Sequence, residues 1–211
     1  MFEIEYKGAN SVIISSKKAS IVIDPKLSLV GLKDVSVKDA VELATESRFA
    51  INSEDAKLII DGPGEYGVAD FDIKGIAAQR HLDAETEPKL STIYRIEGVD
   101  IRAAVIGNIY EKLTEDQLEE IGIVDVLVIP VGGSGYTLDA TGAATVTRQI
   151  DPKIVVPVHY ADDAIKYEVP QSDFETFSTE LGMQVEEAPK LKLKNAAALP
   201  PALTIYKLAR S

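Results

Sequence analysis

Cysteine is absent from all 211 residues, so the chain has no disulfide and no thiolate metal site. Its absence fits a reducing compartment. Histidine is nearly absent too, with only His81 and His159. No apolar run approaches the ~20 residues that span a bilayer. The longest, Val124 to Val131, is broken by Asp125 and has the length of a strand. The opening Met1-Phe2-Glu3-Ile4-Glu5-Tyr6 lacks a basic stretch followed by an apolar one, so no signal peptide is expected. These absences predict a cytoplasmic protein without membrane contact. Basic residues are also few, 22 against 34 acidic, for a net charge of −12. Such a balance repels a phosphate backbone and makes nucleic acid a poor partner. The densest basic stretch, Lys190 to Lys194, alternates lysine with leucine. It reads as an edge strand guarded by lysine.

What is present is ordinary globular composition, 45% hydrophobic and 27% charged. The first half reads as short strands separated by turns: Glu3 to Tyr6, Ser11 to Ile14, Ser20 to Ile23, Lys57 to Ile60, Phe71 to Ala77, Ser91 to Ile96 and Asp100 to Ile106. Val37 to Glu46 suits either a helix or a buried strand. Asp61-Gly62-Pro63-Gly64-Glu65-Tyr66 reads as a turn. The second half alternates strand and helix. Thr114 with Gln117 forms a capping-box start for a helix to about Gly122. Val126 to Pro130 and Ile154 to Val158 read as buried strands. Leu138 to Ile150 and Ser172 to Leu181 read as helices, and Leu203 to Leu208 as the last strand. No linker or repeat divides the halves. Residues 1–211 are expected to form one α/β (α+β) domain, two packed sheets with helices outside.

The motifs occur in a telling order. A turn at Gly8-Ala9-Asn10-Ser11 leads to Ile21-Val22-Ile23-Asp24-Pro25, then to Asp61-Gly62-Pro63-Gly64-Glu65-Tyr66 and Ile73-Lys74-Gly75-Ile76. Ile106-Gly107-Asn108, Val124-Asp125-Val126-Leu127-Val128-Ile129-Pro130-Val131-Gly132-Gly133, Ile154-Val155-Val156-Pro157-Val158-His159-Tyr160 and Lys190-Leu191-Lys192-Leu193 follow. The series resembles the short bacterial and archaeal branch of the metallo-β-lactamase superfamily, Zn-dependent hydrolases similar to the ascorbate-phosphate lactonase group. The resemblance spans essentially the whole chain. It implies a four-layer αββα sandwich with a metal site at one end of the facing sheets.

The resemblance also implies a ligand set that this sequence lacks. The family's His-x-His-x-Asp-His loop falls between Asp39 and Lys57, where no histidine occurs. Matching the motif puts Thr45 and Ser47 at its first two ligand positions, and Arg48 or Phe49 near its aspartate. An arginine there repels a divalent cation. The next ligand position falls at Arg80, with His81 one residue on, and the bridging aspartate is Asn108. Only His159 is retained. Zinc is expected for the family, but its ligands are missing, so no cofactor is expected here. Asp24 and Glu65 are oxygen donors for a hard ion. Glu65 is also a minor candidate for a catalytic carboxylate.

Two readings of His159 stand: a former ligand hydrogen-bonded to neighbours such as Asn108, or an acid, base or donor in a pocket. Ser134 in Gly132-Gly133-Ser134-Gly135 is a cleft residue that could pair with His159, although no nucleophile-elbow pattern surrounds it. The sequence therefore predicts a pseudoenzyme, a non-catalytic binding or structural relative of the family. The alternative is a metal-dependent hydrolase of a small phosphorylated or lactone-like substrate with an altered site. The expected partner is a small molecule or a protein, with homo-oligomerisation open.

Overall fold

Alternation of apolar and polar residues starts the first sheet, and the computed structural model describes residues 1–80 and 90–211. His81 lies outside the described residues. β1 (Phe2–Gly8), β2 (Ser11–Ser15) and β3 (Ser20–Ile23) form an antiparallel meander. Phe2, Ile4 and Tyr6 alternate with half-buried neighbours, so one face of the strand meets the core. The ambiguous segment resolves as a short strand, β4 (Val41–Leu43), parallel to β3 and to β5 (Leu58–Ile60). Period two wins because Val41 and Leu43 enter the core between the sheets. Glu42, on the opposite face, accepts the backbone N–H groups of Ile51, Asn52 and Ser53.

β6 (Gly64–Val68), β7 (Phe71–Gln79), β8 (Leu90–Gly98) and β9 (Ile101–Val105) continue antiparallel. The stretch expected as a turn ends at Pro63. From Gly64 the chain pairs with β7, and Tyr66 and Val68 pack on the core while Glu65 turns outward. Alternation there outweighs turn composition. Thr114 caps α1 (Glu115–Ile121) through the expected reciprocal box with Gln117. β10 (Val126–Pro130) follows, every residue buried. Asp139 then caps α2 (Ala140–Ile150), its side chain accepting from Gly142 N–H. β11 (Ile154–Val158) is likewise fully buried. α3 (Phe174–Leu181) stops at Gly182, which takes the left-handed conformation at φ 69°. β12 (Gln184–Ala188), β13 (Leu191–Leu193) and β14 (Thr204–Leu208) complete the chain. The sequence of β12 gives no strand signal. Its polar, mostly exposed residues are extended by parallel pairing with β14.

Six strands form one sheet in the order β13-β1-β2-β3-β4-β5. Eight form the other, in the order β12-β14-β11-β10-β9-β8-β7-β6. The lysine-rich β13 takes the expected edge position. The main core lies between the sheets, with Leu43, Tyr94, Val128 and Val156 among its buried residues. A second core lies between the eight-stranded sheet and the three α-helices. It includes Ile106, Ile129, Val146 and Phe177. The outer face of the six-stranded sheet is covered by irregular chain: Val35, Val37, Ala40, Ile51 and Ala56 pack on Ile13 and Val22. β9, β10, β11 and β14 run parallel, which requires cover on both faces. No helix among the described residues is long and apolar enough to cross a membrane.

Candidate functional site

Parallel strands leave their carboxyl ends on one edge of a sheet, where loops can converge. Asp24 follows β3, Thr45 follows β4, Asn108 follows β9 and His159 follows β11. Asp24 and His159 sit at φ 48° and 52°, a left-handed conformation uncommon for either side chain. The loop after β4 is tied across to the other sheet. Thr92 N–H donates to Thr45 O at 2.8 Å and the Tyr94 hydroxyl donates to Ala44 O at 2.9 Å.

Two polar clusters result. In the first, both Asp24 carboxyl oxygens accept from Thr45: Oδ1 from its backbone N and Oδ2 from its Oγ1, each at 2.7 Å. Burial pushes the Asp24 carboxyl up to about 7, against the two Thr45 hydrogen bonds. The second cluster surrounds Glu46, which is 6% exposed. Its Oε1 accepts from Asn108 Nδ2 at 3.1 Å and from Arg48 Nη2 at 3.2 Å. Its Oε2 faces Arg48 Nε at 2.8 Å and Arg80 Nη1 at 3.4 Å. Asn10 Nδ2 in turn donates to Asn108 Oδ1 at 3.3 Å. One carboxylate thus holds two guanidinium groups and an amide. Burial works against the charge of Arg48, but Glu46 and Tyr136 outweigh it and raise its affinity for the proton. The guanidinium also lies 4.6 Å above the Phe49 ring and 5.2 Å from the Tyr136 centroid.

His159 is buried beside these clusters. Its Nδ1 is 3.1 Å from Gln171 Oε1. Gln171 Nε2 donates to Val169 O, which fixes the amide's orientation and makes Oε1 the acceptor. Nδ1 therefore carries the proton, and the Nε2 lone pair is an acceptor. Burial lowers the ring to about 4, so it is neutral at physiological pH. Tyr136 stacks on it at 5.6 Å and Tyr167 leans over it at 4.6 Å. These rings wall a cavity of about 120 Å³.

The predicted residues divide accordingly. The structure brings Asp24, Thr45, Arg80, Asn108 and His159 to one end of the sandwich. Ser47 is exposed, while its neighbours Glu46 and Arg48 face the site. Ser134 is exposed, and its hydroxyl donates to Pro170 O rather than meeting His159. Glu65 is exposed on β6 and pairs with Lys74. The partner of His159 is Gln171, not Asn108. Sequence reasoning missed Glu46, Gln171 and the tyrosines. The alternation Glu46-Ser47-Arg48 was the available signal for the first.

A zinc site needs three or four free imidazole or carboxylate donors converging at about 2.0–2.2 Å. The described residues do not fit one. Glu46 is occupied by cations and an amide, each Asp24 oxygen already accepts from Thr45, and one nitrogen of His159 meets Gln171. Among the described residues, no three His, Asp or Glu side chains are grouped so as to hold a metal ion.

Two facing mixed sheets, with the polar clusters at one end, define a metallo-β-lactamase fold. Residues 3–159 match the model of the beta-lactamase superfamily domain, and the chain belongs to that superfamily. Among solved structures it is similar to a candidate Zn-dependent hydrolase of the metallo-beta-lactamase superfamily from Thermotoga maritima. The two share 23% identity at a TM-score of 0.77, over 99% of this chain and 100% of that one. A candidate metal-dependent hydrolase from Parabacteroides distasonis aligns at 15% identity and TM-score 0.66, over 99% and 94% of the chains. Igni18, a metallo hydrolase from Ignicoccus hospitalis, aligns at 18% and 0.60, over 86% and 90%. At these identities the likeness concerns the fold. No curated protein matches the chain.

Proposed function

We propose that this chain is a non-catalytic member of its superfamily, a cytoplasmic protein that binds a small molecule at the end of the sandwich. The observation that carries the reading is the capture of Glu46 by Arg48, Arg80 and Asn108. In the register suggested by the side chains that face the site, Glu46 and Arg48 stand where the family places two histidines. Two guanidinium groups then supply fixed positive charge where the family's enzymes hold a dication. A guanidinium cannot lower the pKa of a bound water as a metal does, nor shed a proton to act as a base. A cavity beside a permanent charge, walled by aromatic rings, is suited to binding.

A second reading has one observation in its favour. Asp24, buried and with a carboxyl pKa of about 7, has the property of a general acid or base. That reading is a metal-dependent hydrolase of a small phosphorylated or lactone-like compound with an altered site.

Zinc separates the readings. A ligand that binds only the folded state raises its melting temperature by mass action. Adding zinc to chelator-treated protein is expected to leave Tm unchanged in differential scanning calorimetry. A saturable rise in Tm that disappears in His159→Ala would overturn the non-catalytic reading.

A further inference from the structure

The cavity beside His159 has a shape and chemistry that select a ligand class, an inference that rests on the small-molecule reading above. Its floor is formed by Asn10, Asp24 and His159, each no more than 5% exposed. Its sides are the rings of Phe49, Tyr136 and Tyr167, together with Leu27, Val30 and Val169. Lys26, Arg48 and Glu168 stand toward the opening, so charges of both signs meet an entering molecule.

The floor presents acceptors. Asn10 Oδ1 is buried and has no hydrogen-bond partner among the described residues. Buried within the floor, that oxygen is closed to the cavity, which leaves the imidazole as the acceptor a guest can meet. His159 Nε2 is an acceptor because the ring proton is committed to Gln171. The Asp24 carboxyl oxygens already receive Thr45. A carboxylate or phosphate entering this floor would meet oxygen and nitrogen lone pairs. A cation would have to pass the Arg48 and Lys26 side chains. A neutral molecule with a single N–H or O–H donor has neither difficulty.

Size and walls narrow the class further. An apolar cavity of about 150 Å³ takes up benzene, so about 120 Å³ matches one small ring with little to spare. Three aromatic rings and an imidazole around that space favour a flat, polarisable guest. We propose that the site binds a neutral, single-ring aromatic bearing a hydroxyl or amino group, with the donor directed at His159 Nε2.

Phenol is the probe, and isothermal titration calorimetry with the full chain is the readout. Saturable binding of phenol at one site per chain is expected. Anisole, which lacks the donor, is expected to bind at least about fivefold more weakly, as loss of one hydrogen bond implies. Benzoate is expected to bind at least about tenfold more weakly, because its carboxylate would be buried against the Asp24 carboxyl and the His159 lone pair. Val30→Trp fills the cavity from a half-buried position and is expected to abolish phenol binding while leaving circular dichroism unchanged. Absence of phenol binding overturns the proposal. So does phenol binding that survives Val30→Trp, or benzoate binding as tightly as phenol. A zinc-dependent rise in Tm with phenol binding intact would instead overturn only the non-catalytic reading.

Discussion

Replacing Asp24 with asparagine should stabilise the protein at alkaline pH and do little at acid pH. The Asp24 carboxyl is raised from an ordinary 3.8 to about 7 by burial. An acid whose pKa is higher in the folded state holds its proton more tightly there. Its contribution to stability is therefore complete below about 3.8 and is lost as pH rises through about 7. At about 1.36 kcal/mol per unit, the upper bound on that loss is about 4 kcal/mol. Asp24→Asn has nearly the same shape. Its oxygen can still accept from Thr45 N–H, and its amide can donate to Thr45 Oγ1. The variant escapes the loss. Its Tm relative to the parent should climb by roughly 5–15 °C between pH 4 and pH 8. His159 titrates in the opposite sense, favouring the fold above 6.5 and costing it as pH falls towards about 4. It is common to parent and variant, so it cancels in the difference. A constant offset between the two proteins across that range would mean that Thr45 holds Asp24 ionised in the fold.

Gly132→Ala should be the most damaging small substitution at the site. A methyl group there would lie 2.2 Å from His159 O and 2.3 Å from Gln171 Oε1. The first is a backbone atom, and its residue is already held by a hydrogen bond from His159 N–H to Ala9 O. It cannot move without disturbing the end of β11. Overpacking of this kind costs about 1–3 kcal/mol. Displacing Gln171 also forfeits its bond to the imidazole, for a further ~1 kcal/mol. A total near 3 kcal/mol corresponds to a Tm drop of roughly 6–12 °C in a chain of this size. By comparison, Gly62→Ala meets nothing within 4 Å and should leave Tm nearly unchanged. Equal melting temperatures for the two variants would show that the loop after β10 does not press on His159 as described.

Much of this architecture is readable in the sequence, for identifiable reasons. β10 and β11 are continuous apolar runs because both of their faces are covered. α1 announces itself through a capping box. Asp24, Asn108 and His159 are legible because each follows a strand that is. β12 is not legible, because its polar residues are held extended by β14 rather than by any periodicity of their own. The stretch 61–66 misleads because glycine and proline chemistry masks a strand that begins at Gly64. The Glu46 cluster is harder still. Arg48 and Arg80 lie on segments 32 residues apart, and nothing local says that both approach one carboxylate. Tyr136 lies on the loop after β10 while His159 and Tyr167 share the loop after β11, so the aromatic wall exists only once those strands are side by side.

Everything distinctive about the site follows from Glu46 being committed to Arg48, Arg80 and Asn108 instead of to a cation. Elemental analysis of protein purified without chelator from zinc-supplemented culture tests that commitment most directly. The account predicts zinc far below one atom per chain, no different in Glu46→Ala. One tightly held zinc per chain in the parent, lost on replacing His159, would contradict it.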